Sequence, residues 1–314
     1  MRIVFMGTPI FAVPSLAILA EDAQHEVVGV YTQPDRVNRR GKKVAFSPVK
    51  DWALAHGLLV YQPSTLRDAD VLAELRALNA DVFIVVAYGK ILPAEALQIP
   101  TYGCLNVHAS LLPQYRGAAP IQYSIWNGDK ETGVTVMKLD EEMDTGDILA
   151  QESTPLHSDD DVPALTERLA ALGGRLLHTV MRDLPEYLKQ AQPQAHELAT
   201  YTQKISKEDG RIDWRKSARS ICRLVNALHA NPGVYTMFRQ RRLKVHRVAV
   251  REESAAVPAG CIVRTDSCGI HVATGEGVLV LQEVQPENKK QMTATDFING
   301  YQLQAGEQFG ESEN

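Results

Sequence analysis

The sequence predicts an α/β domain, built on a mostly parallel sheet with helices on both faces, followed by a smaller β-barrel domain. Three observations carry that expectation. Through the first half, short apolar β-branched runs alternate with stretches of helical spacing. Beyond position 209 the alternation stops, and strand-like runs follow one another between Gly, Pro, Asp and Ser turn signals. The chain has 314 residues, more than the roughly 100–200 of a usual single domain.

Taken in order, RIVFMG (2–7), EVVGVYT (26–32), DVFIVVA (81–87) and GCLNVH (103–108) read as strands, with helices over 11–20, 48–56 and 68–78 between them. That alternation gives a Rossmann-like sheet, in which ligands gather beyond the carboxyl ends of the strands. GCLNVH ends on His108, so Asn106 and His108 fall at that edge, and a spacing of two puts both on one side of the strand. A further strand pair, TGVTVMKLD and GDILAQES, flanks the turn EEMDTGD at 141–147, and one long helix over 162–189 closes the domain.

The stretch 190–208 is polar, carries a proline and lacks a sustained apolar period, which is how a linker reads. The expected division is a first domain over 1–189, a linker over 190–208 and a second domain over 209–314. In the second, RKSARSICRLVNALHA reads as an amphipathic helix. The runs GVYTMF, RLKVHRVAV, AGCIVR, GIHVAT and GVLVLQEV read as strands of a small OB-like barrel.

A hydrophobic content of 45% and a charged content of 23% are ordinary for a folded, water-soluble chain and exclude the disordered and fibrous classes. The longest compact apolar run, VFIVVA, is too short to span a bilayer, and MRIVFMGTP lacks the pattern of a signal peptide, so a cytoplasmic location is expected. No exposed apolar helix face asks for a partner, and a monomer is expected. Cys104, Cys222, Cys261 and Cys268 lack the paired spacing of a zinc site and are too few for a disulfide framework; reduced thiols and no metal are expected.

The net charge of −5 conceals two basic clusters. Residues 211–251 hold eleven Lys and Arg against Asp213 alone. Residues 34–50 hold Arg36, Arg39, Arg40, Lys42, Lys43 and Lys50 against Asp35, around Gly41 and without helical or strand period, as a loop would. Each cluster alone fits a solvated face whose charge the fold balances elsewhere. Two of them in different domains of an acidic chain favour a polyanion such as nucleic acid.

Asn106 and His108 suit attack on a carbonyl, because an imidazolium and an amide can both donate to a developing oxyanion. Asp144, in the 141–147 turn, is a candidate to orient His108. A histidine at a strand end is also a common structural hydrogen-bonder, and Asp before Thr-Gly-Asp a common turn former. No serine elbow, GxxxxGK[ST] loop or paired-histidine metal motif competes with the trio, and GTPIFA at 7–12 lacks the full dinucleotide fingerprint.

NVHASLLPQYRGAAP (106–120) followed by MDTGDIL (143–149) resembles the folate-dependent formyltransferases: Asn106, His108, SLLP at 110–113, RGAAP at 116–120 and Asp144 match at the expected places. The opening MRIVFMGTPIFAVPSL, the basic loop and DGRIDW (209–214) extend the resemblance, along essentially the whole chain, to members that act on charged tRNA and carry a C-terminal barrel. The resemblance implies the formyltransferase fold. It also implies transfer of the formyl group of 10-formyltetrahydrofolate, the donor co-substrate, to the α-amino group of methionyl-initiator tRNA for initiation of translation. Within it, Asn106, His108 and Asp144 are catalytic, while Ser110, Leu111, Leu112 and Pro113, with residues 85–93, shape the folate pocket. A packing role for Leu111 and Leu112 fits their chemistry equally. The tRNA would meet Arg36, Arg39, Arg40, Lys42 and Lys43 of the loop and Arg211, Arg239, Arg241, Arg242 and Lys244 of the barrel. Two other readings stand beside it. A transferase acting on a small amine, such as a glycinamide or amino-sugar nucleotide, would not need the basic second domain. An RNA-binding module with an idle pocket would have no use for the intact trio.

Overall fold

The computed structural model describes residues 1–37 and 44–310. Its first elements are β1 (Arg2–Gly7), α1 (Val13–Glu21), β2 (Glu26–Tyr31), the short pair β3 (Arg36–Val37) and β4 (Val44–Ala45), α2 (Pro48–Ala55), β5 (Val60–Tyr61), α3 (Ala69–Ala77) and β6 (Val82–Val86). There follow α4 (Ala94–Leu97), β7 (Cys104–His108), β8 (Arg116–Gly117), α5 (Pro120–Asn127), β9 (Glu131–Lys138), β10 (Ile148–Pro155), α6 (Val162–Arg182), α7 (Leu184–Lys189) and β11 (Tyr201–Thr202). Local chemistry sets the boundaries. Pro48 occupies the first turn of α2, and the Ser47 side chain before it accepts the N–H of Lys50.

Seven of these strands form one sheet in the order β10-β9-β7-β6-β1-β2-β5. It is parallel from β5 to β7, and β9 and β10 add antiparallel at one edge. β6 and β7 are buried along their whole length, which is why they read as unbroken apolar runs. The chain leaves β1 toward β2 and β5 and returns on its other side as β6, so the strand order reverses there and a crevice opens at the carboxyl ends. The loops at that edge are tied together. Thr8 donates its hydroxyl to the Tyr88 carbonyl at 3.0 Å, and the Gln33 amide donates to the carbonyls of Tyr88 and Gly89 at 3.1 and 3.0 Å.

Two expectations differ from the structure. The helix expected over 162–189 is two helices, broken at Asp183 just before Pro185, whose ring lacks an N–H and collides with the preceding turn. The stretch read as a linker is largely structured. Tyr201–Thr202 pairs in parallel with β8, and Gln192 bridges to Ile148, so residues 190–202 lie in the first compact unit. That unit comprises Met1–Pro120, Glu131–Pro155 and Ala164–Thr202. The second comprises Ile121–Lys130, Leu156–Pro163 and the chain from Gln203 onward.

In the second unit, α8 (Ala218–Leu228), β12 (Val234–Phe238), β13 (Arg241–Arg251), β14 (Ile262–Asp266), β15 (Gly269–Ala273), β16 (Val278–Pro286), β17 (Met292–Thr293) and α9 (Ala294–Tyr301) follow in order. The strands make an antiparallel sheet, β12-β13-β16-β15-β14 with β17 on β16, consistent with an OB-like domain. α8 buries Ile221, Leu224, Val225 and Leu228 on one face, the period that marks it in the sequence. Trp214 stacks on Phe309 with centroids 5.8 Å apart and donates its indole N–H to Thr236 at 3.0 Å, so DGRIDW ends in a core residue.

α6 lies under β7 because Gly173 allows it. A Cβ at Gly173 would stand 2.8 Å from Cγ1 of Val107, the residue between Asn106 and His108. Gly173→Val should therefore cost about 1–3 kcal/mol of stability through overpacking. A denaturant midpoint shift at constant slope is the expected readout, with Gly300→Val, where a Cβ meets nothing within 4 Å, as the control.

Candidate active site

β7 delivers Asn106 and His108 to the carboxyl edge, at 9% and 6% exposure. Cys104, at its other end, is buried and its thiol is pushed up to about 12 by burial, so it is an inert packing group. The Asn106 side chain has no hydrogen-bond partner among the described residues, which leaves an amide donor open at the strand end. Nε2 of His108 lies 3.0 Å from the Tyr115 carbonyl oxygen. A carbonyl only accepts, so Nε2 carries the proton and donates, and Nδ1 is the nitrogen left for chemistry. Facing Nδ1 at 3.7 Å is Oδ1 of Asp144. That is close for a charge pair and long for a hydrogen bond.

Asp144 reaches His108 from a constrained turn. Its φ is +57°, a left-handed conformation that Asp tolerates better than most side chains. Asp140 caps the turn by accepting the Glu142 N–H at 3.1 Å and the Thr145 hydroxyl at 2.8 Å. At Gly146 a Cβ would fall 1.8 Å from the Lys138 carbonyl oxygen, so only glycine closes the turn. The carboxylate is held by the Gly117 N–H, which donates to Oδ2 at 2.8 Å. Behind it, the Gln194 amide donates to the carbonyls of Asp144 and Gly146 at 3.0 and 2.7 Å, and the buried Arg116 donates in turn to Oε1 of Gln194.

The SLLP turn is anchored by the Thr135 hydroxyl, with the Gln151 amide donating to the Leu112 carbonyl at 2.8 Å and the Thr200 N–H to that of Pro113 at 3.2 Å. Thr135 of β9, opposite His108, donates to the Ser110 carbonyl at 2.7 Å and accepts from the Leu112 N–H at 3.1 Å and the Gln151 amide at 2.8 Å. The Ser110 hydroxyl donates to the Gln114 carbonyl at 2.5 Å, so Ser110 is spoken for within the turn. Leu112 is buried, Leu111 and Pro113 are half-buried, and Leu111 rests on Gly133. In the 85–93 segment Tyr88 is buried and packs in the core, while its carbonyl ties the loops.

The basic residues divide. Arg39, Arg40, Lys42 and Lys43 lie outside the described residues, and Arg36 is described only as backbone of β3. In the second unit Arg241, Arg242 and Lys244 are exposed at the start of β13, with Arg242 over the Tyr235 ring at 3.9 Å. Arg211 is exposed too and has interactions within the chain. Arg239 is exposed but paired, donating to Glu307 at 2.6 and 3.0 Å and to the Tyr301 carbonyl at 3.2 Å. Other members of the cluster are paired as well, Arg215 with Asp213 and Arg219 with Glu252. Among the described residues no group of three or more His, Cys, Asp and Glu could hold a metal ion, and no helix is long and apolar enough to cross a membrane.

A mostly parallel sheet with a switch point carries an amide and an imidazole on β7 and a carboxylate beside the imidazole, groups able to serve carbonyl chemistry. The chain belongs to the formyl transferase family, whose model matches residues 1–181, while a model of the formyl transferase C-terminal domain matches 204–302. Relatives that it matches along nearly their whole length are methionyl-tRNA formyltransferases. One from Hydrogenovibrio crunogenus is 45% identical over 303 residues, covering 96% of this chain and 97% of its own, and one from Marinobacter nauticus is 44% identical over 300 residues, covering 96% of each. The fold recurs in the N-formyltransferase from Helicobacter canadensis, solved with folinic acid and dTDP-3-aminofucose (TM-score 0.68, 18% identity, 90% of this chain and 99% of that one). It recurs again in HypX from Aquifex aeolicus in complex with tetrahydrofolic acid (TM-score 0.64, 17% identity, 98% of this chain and 48% of that one).

Thr135 follows from this geometry alone. Thr135→Val should strip the Leu112 N–H of its acceptor in a buried setting, at about 1–3 kcal/mol for a group left unsatisfied, while the exposed Gln151 amide keeps the Leu112 carbonyl. The expected result is lower global stability together with faster amide exchange at Leu112; an unchanged Leu112 protection factor would show that the turn is held some other way.

Proposed function

We propose that this chain, acting as a cytoplasmic monomer, transfers the formyl group of 10-formyltetrahydrofolate to the α-amino group of methionyl-initiator tRNA, with Asn106, His108 and Asp144 as its catalytic residues. The observation that carries the reading is the open Asn106 amide beside a His108 whose Nδ1 faces Asp144 at 3.7 Å, all at the carboxyl edge of the sheet. The names of the relatives support the charged tRNA as acceptor and formyl as the group transferred. The folate in a structural neighbour is consistent with that donor.

An α-amino group with a reference pKa of about 7.7–8.0 is already partly neutral near pH 7, so it needs little activation. The demanding tasks are bringing the amine to the formyl carbon and stabilising the oxyanion that forms there. As the amine nitrogen bonds to the formyl carbon, the carbonyl oxygen gains charge. Asn106 donates its amide N–H to it, and the protonated Nδ1 of His108 donates a second bond. Asp144 balances the imidazolium. Its carboxylate also receives the proton lost by the amine and passes it toward the folate nitrogen as the old carbon–nitrogen bond breaks. The carbon keeps its formyl oxygen, and the folate leaves with the proton.

For the tRNA, the exposed cations at the head of β13 are suited to phosphates, and the loop residues Arg36, Arg39, Arg40, Lys42 and Lys43 are proposed to meet the acceptor end. Ser110, Leu111, Leu112 and Pro113 are proposed to form one wall of the folate pocket, through the backbone and apolar surface of the turn rather than through the engaged Ser110 hydroxyl.

The reading is tested by formyl transfer from 10-formyltetrahydrofolate to methionyl-initiator tRNA, with free methionine, glycinamide ribonucleotide and an amino-sugar nucleotide as competing acceptors. Transfer to the charged tRNA alone is expected. Asn106→Ala and His108→Ala should each lower kcat by about 10²–10³, the usual cost of one oxyanion donor; activity within tenfold of the unaltered chain in both would sink the assignment. Transfer to a small amine would keep the chemistry and overturn the acceptor. Replacing Arg241, Arg242 and Lys244 together by Ala should raise KM for tRNA and flatten its salt dependence, by about one unit of slope for each phosphate no longer neutralised. Arg239→Ala should instead act on stability, because its guanidinium is engaged by Glu307.

A further inference from the structure

Arg116 is 1% exposed and no carboxylate pairs with it among the described residues. Burying an unpaired cation is expensive, so its position calls for a reason other than packing. Its guanidinium is satisfied by neutral groups: Nε and Nη2 donate to Oε1 of Gln194 at 3.1 and 2.7 Å, and Nη1 reaches Nδ1 of His196 and the Tyr201 hydroxyl at 3.3 Å each. A guanidinium only donates, so it must face the oxygen of Gln194, and the NH2 of that amide is thereby aimed the other way. What it is aimed at is the backbone of the catalytic turn, the carbonyls of Asp144 and Gly146 at 3.0 and 2.7 Å.

We propose that Gln194, oriented by Arg116, is the positioning residue that holds Asp144 in place for the reaction. The inference rests on the reading, given above, that Asp144 acts on His108. Two neighbouring residues of β8 grip Asp144 from opposite ends. Arg116, through Gln194, fixes its carbonyl, and Gly117 fixes its carboxylate by donating to Oδ2 at 2.8 Å. The residue between those two anchors is a non-glycine at φ +57°, a left-handed conformation that the bonds at its two ends help to hold. The buried positive charge polarises the amide of Gln194, and charge-assisted donors are stronger than neutral ones. Neither side chain touches the reacting atoms. Their effect passes through the position of Oδ1 of Asp144 relative to Nδ1 of His108.

Gln194→Glu separates this role from a merely structural one. The carboxylate still accepts from Arg116, now as an ion pair that offsets part of the stability lost at the turn, but it has no N–H for the two carbonyls of the turn. The expected result is a fall in kcat of about 10- to 100-fold, the scale of a displacement of about 1 Å at a catalytic group, with KM for both substrates within about threefold. Gln194→Ala should fall as far in kcat and lose more stability. In a double-mutant cycle, Gln194→Glu should cost less than about threefold when Asp144 is already Ala, because it acts through Asp144. Unaltered kcat in Gln194→Glu, or the same fall on both backgrounds, would overturn the proposal. Unaltered kcat in Asp144→Ala alone would overturn instead the reading beneath it, and that single variant is judged before the cycle is closed.

Discussion

The chemistry proposed for this chain depends on keeping the Asp144 carboxylate 3.7 Å from Nδ1 of His108, although one stands on a turn and the other ends a strand of the sheet. An imidazole is useful at such a site only if its working nitrogen is chosen in advance. The Tyr115 carbonyl makes that choice by accepting from Nε2, so the loop that follows β7 fixes the ring while the 140–147 turn supplies the charge. Neither device works without the sheet beneath. β7 holds its register because β6 and β9 flank it and α6 presses on Val107 from the face opposite to Asn106 and His108. Rigid strands set the direct contacts, and loops are allowed near the site only where side chains tie them down.

Much of this was legible because it is periodic or local. Strand and helix periods gave the alternation of the first unit, and the spacing of two between Asn106 and His108 put them on one side of β7, at the edge where the loops gather. Gly146 and Asp140 mark the turn around Asp144 through their own backbone preferences. What escaped was the support. Gln194 and His196 lie in a polar stretch with no apolar period, the signature of connecting chain, and their function comes from side-chain bonds across the fold to Arg116 and the 144–146 backbone. Thr135 escaped for a related reason: on a strand buried along six successive residues, an inward threonine reads as one more β-branched filler.

Charge shows the same limit of local reading. Counting 211–251 by itself finds one acid, yet Arg219 and Arg239 are answered by Glu252 and Glu307, which lie beyond that window. Opposite charges separated in sequence are adjacent in a barrel, so a basic stretch overstates the free cation surface unless the fold is known. One exposed group within 211–251, Arg241, Arg242 and Lys244, is compact and sits beside a two-residue hairpin turn, Arg239-Gln240, with both residues at positive φ. Turns of that kind usually use Asn-Gly. Here the bonds of Arg239 to Glu307 and to the Tyr301 carbonyl supply the restraint that the residue types do not, so the paired arginine shapes the strand start on which the exposed ones stand.

Arg116 and Arg239 thus illustrate one principle at two depths. At the surface Arg239 meets a carboxylate, where the pair is partly solvated and its energetic worth is modest, and its value lies in geometry. In the interior a carboxylate partner for Arg116 would have neutralised the guanidinium and left no donor for the 144–146 backbone. A glutamine converts the cation into two directed N–H donors while remaining neutral itself, so charge enters the site as orientation. A second acid beside Asp144 would repel its carboxylate and weaken the hold of the Gly117 N–H, so the neutrality of Gln194 is as much a requirement of the site as the charge of Arg116.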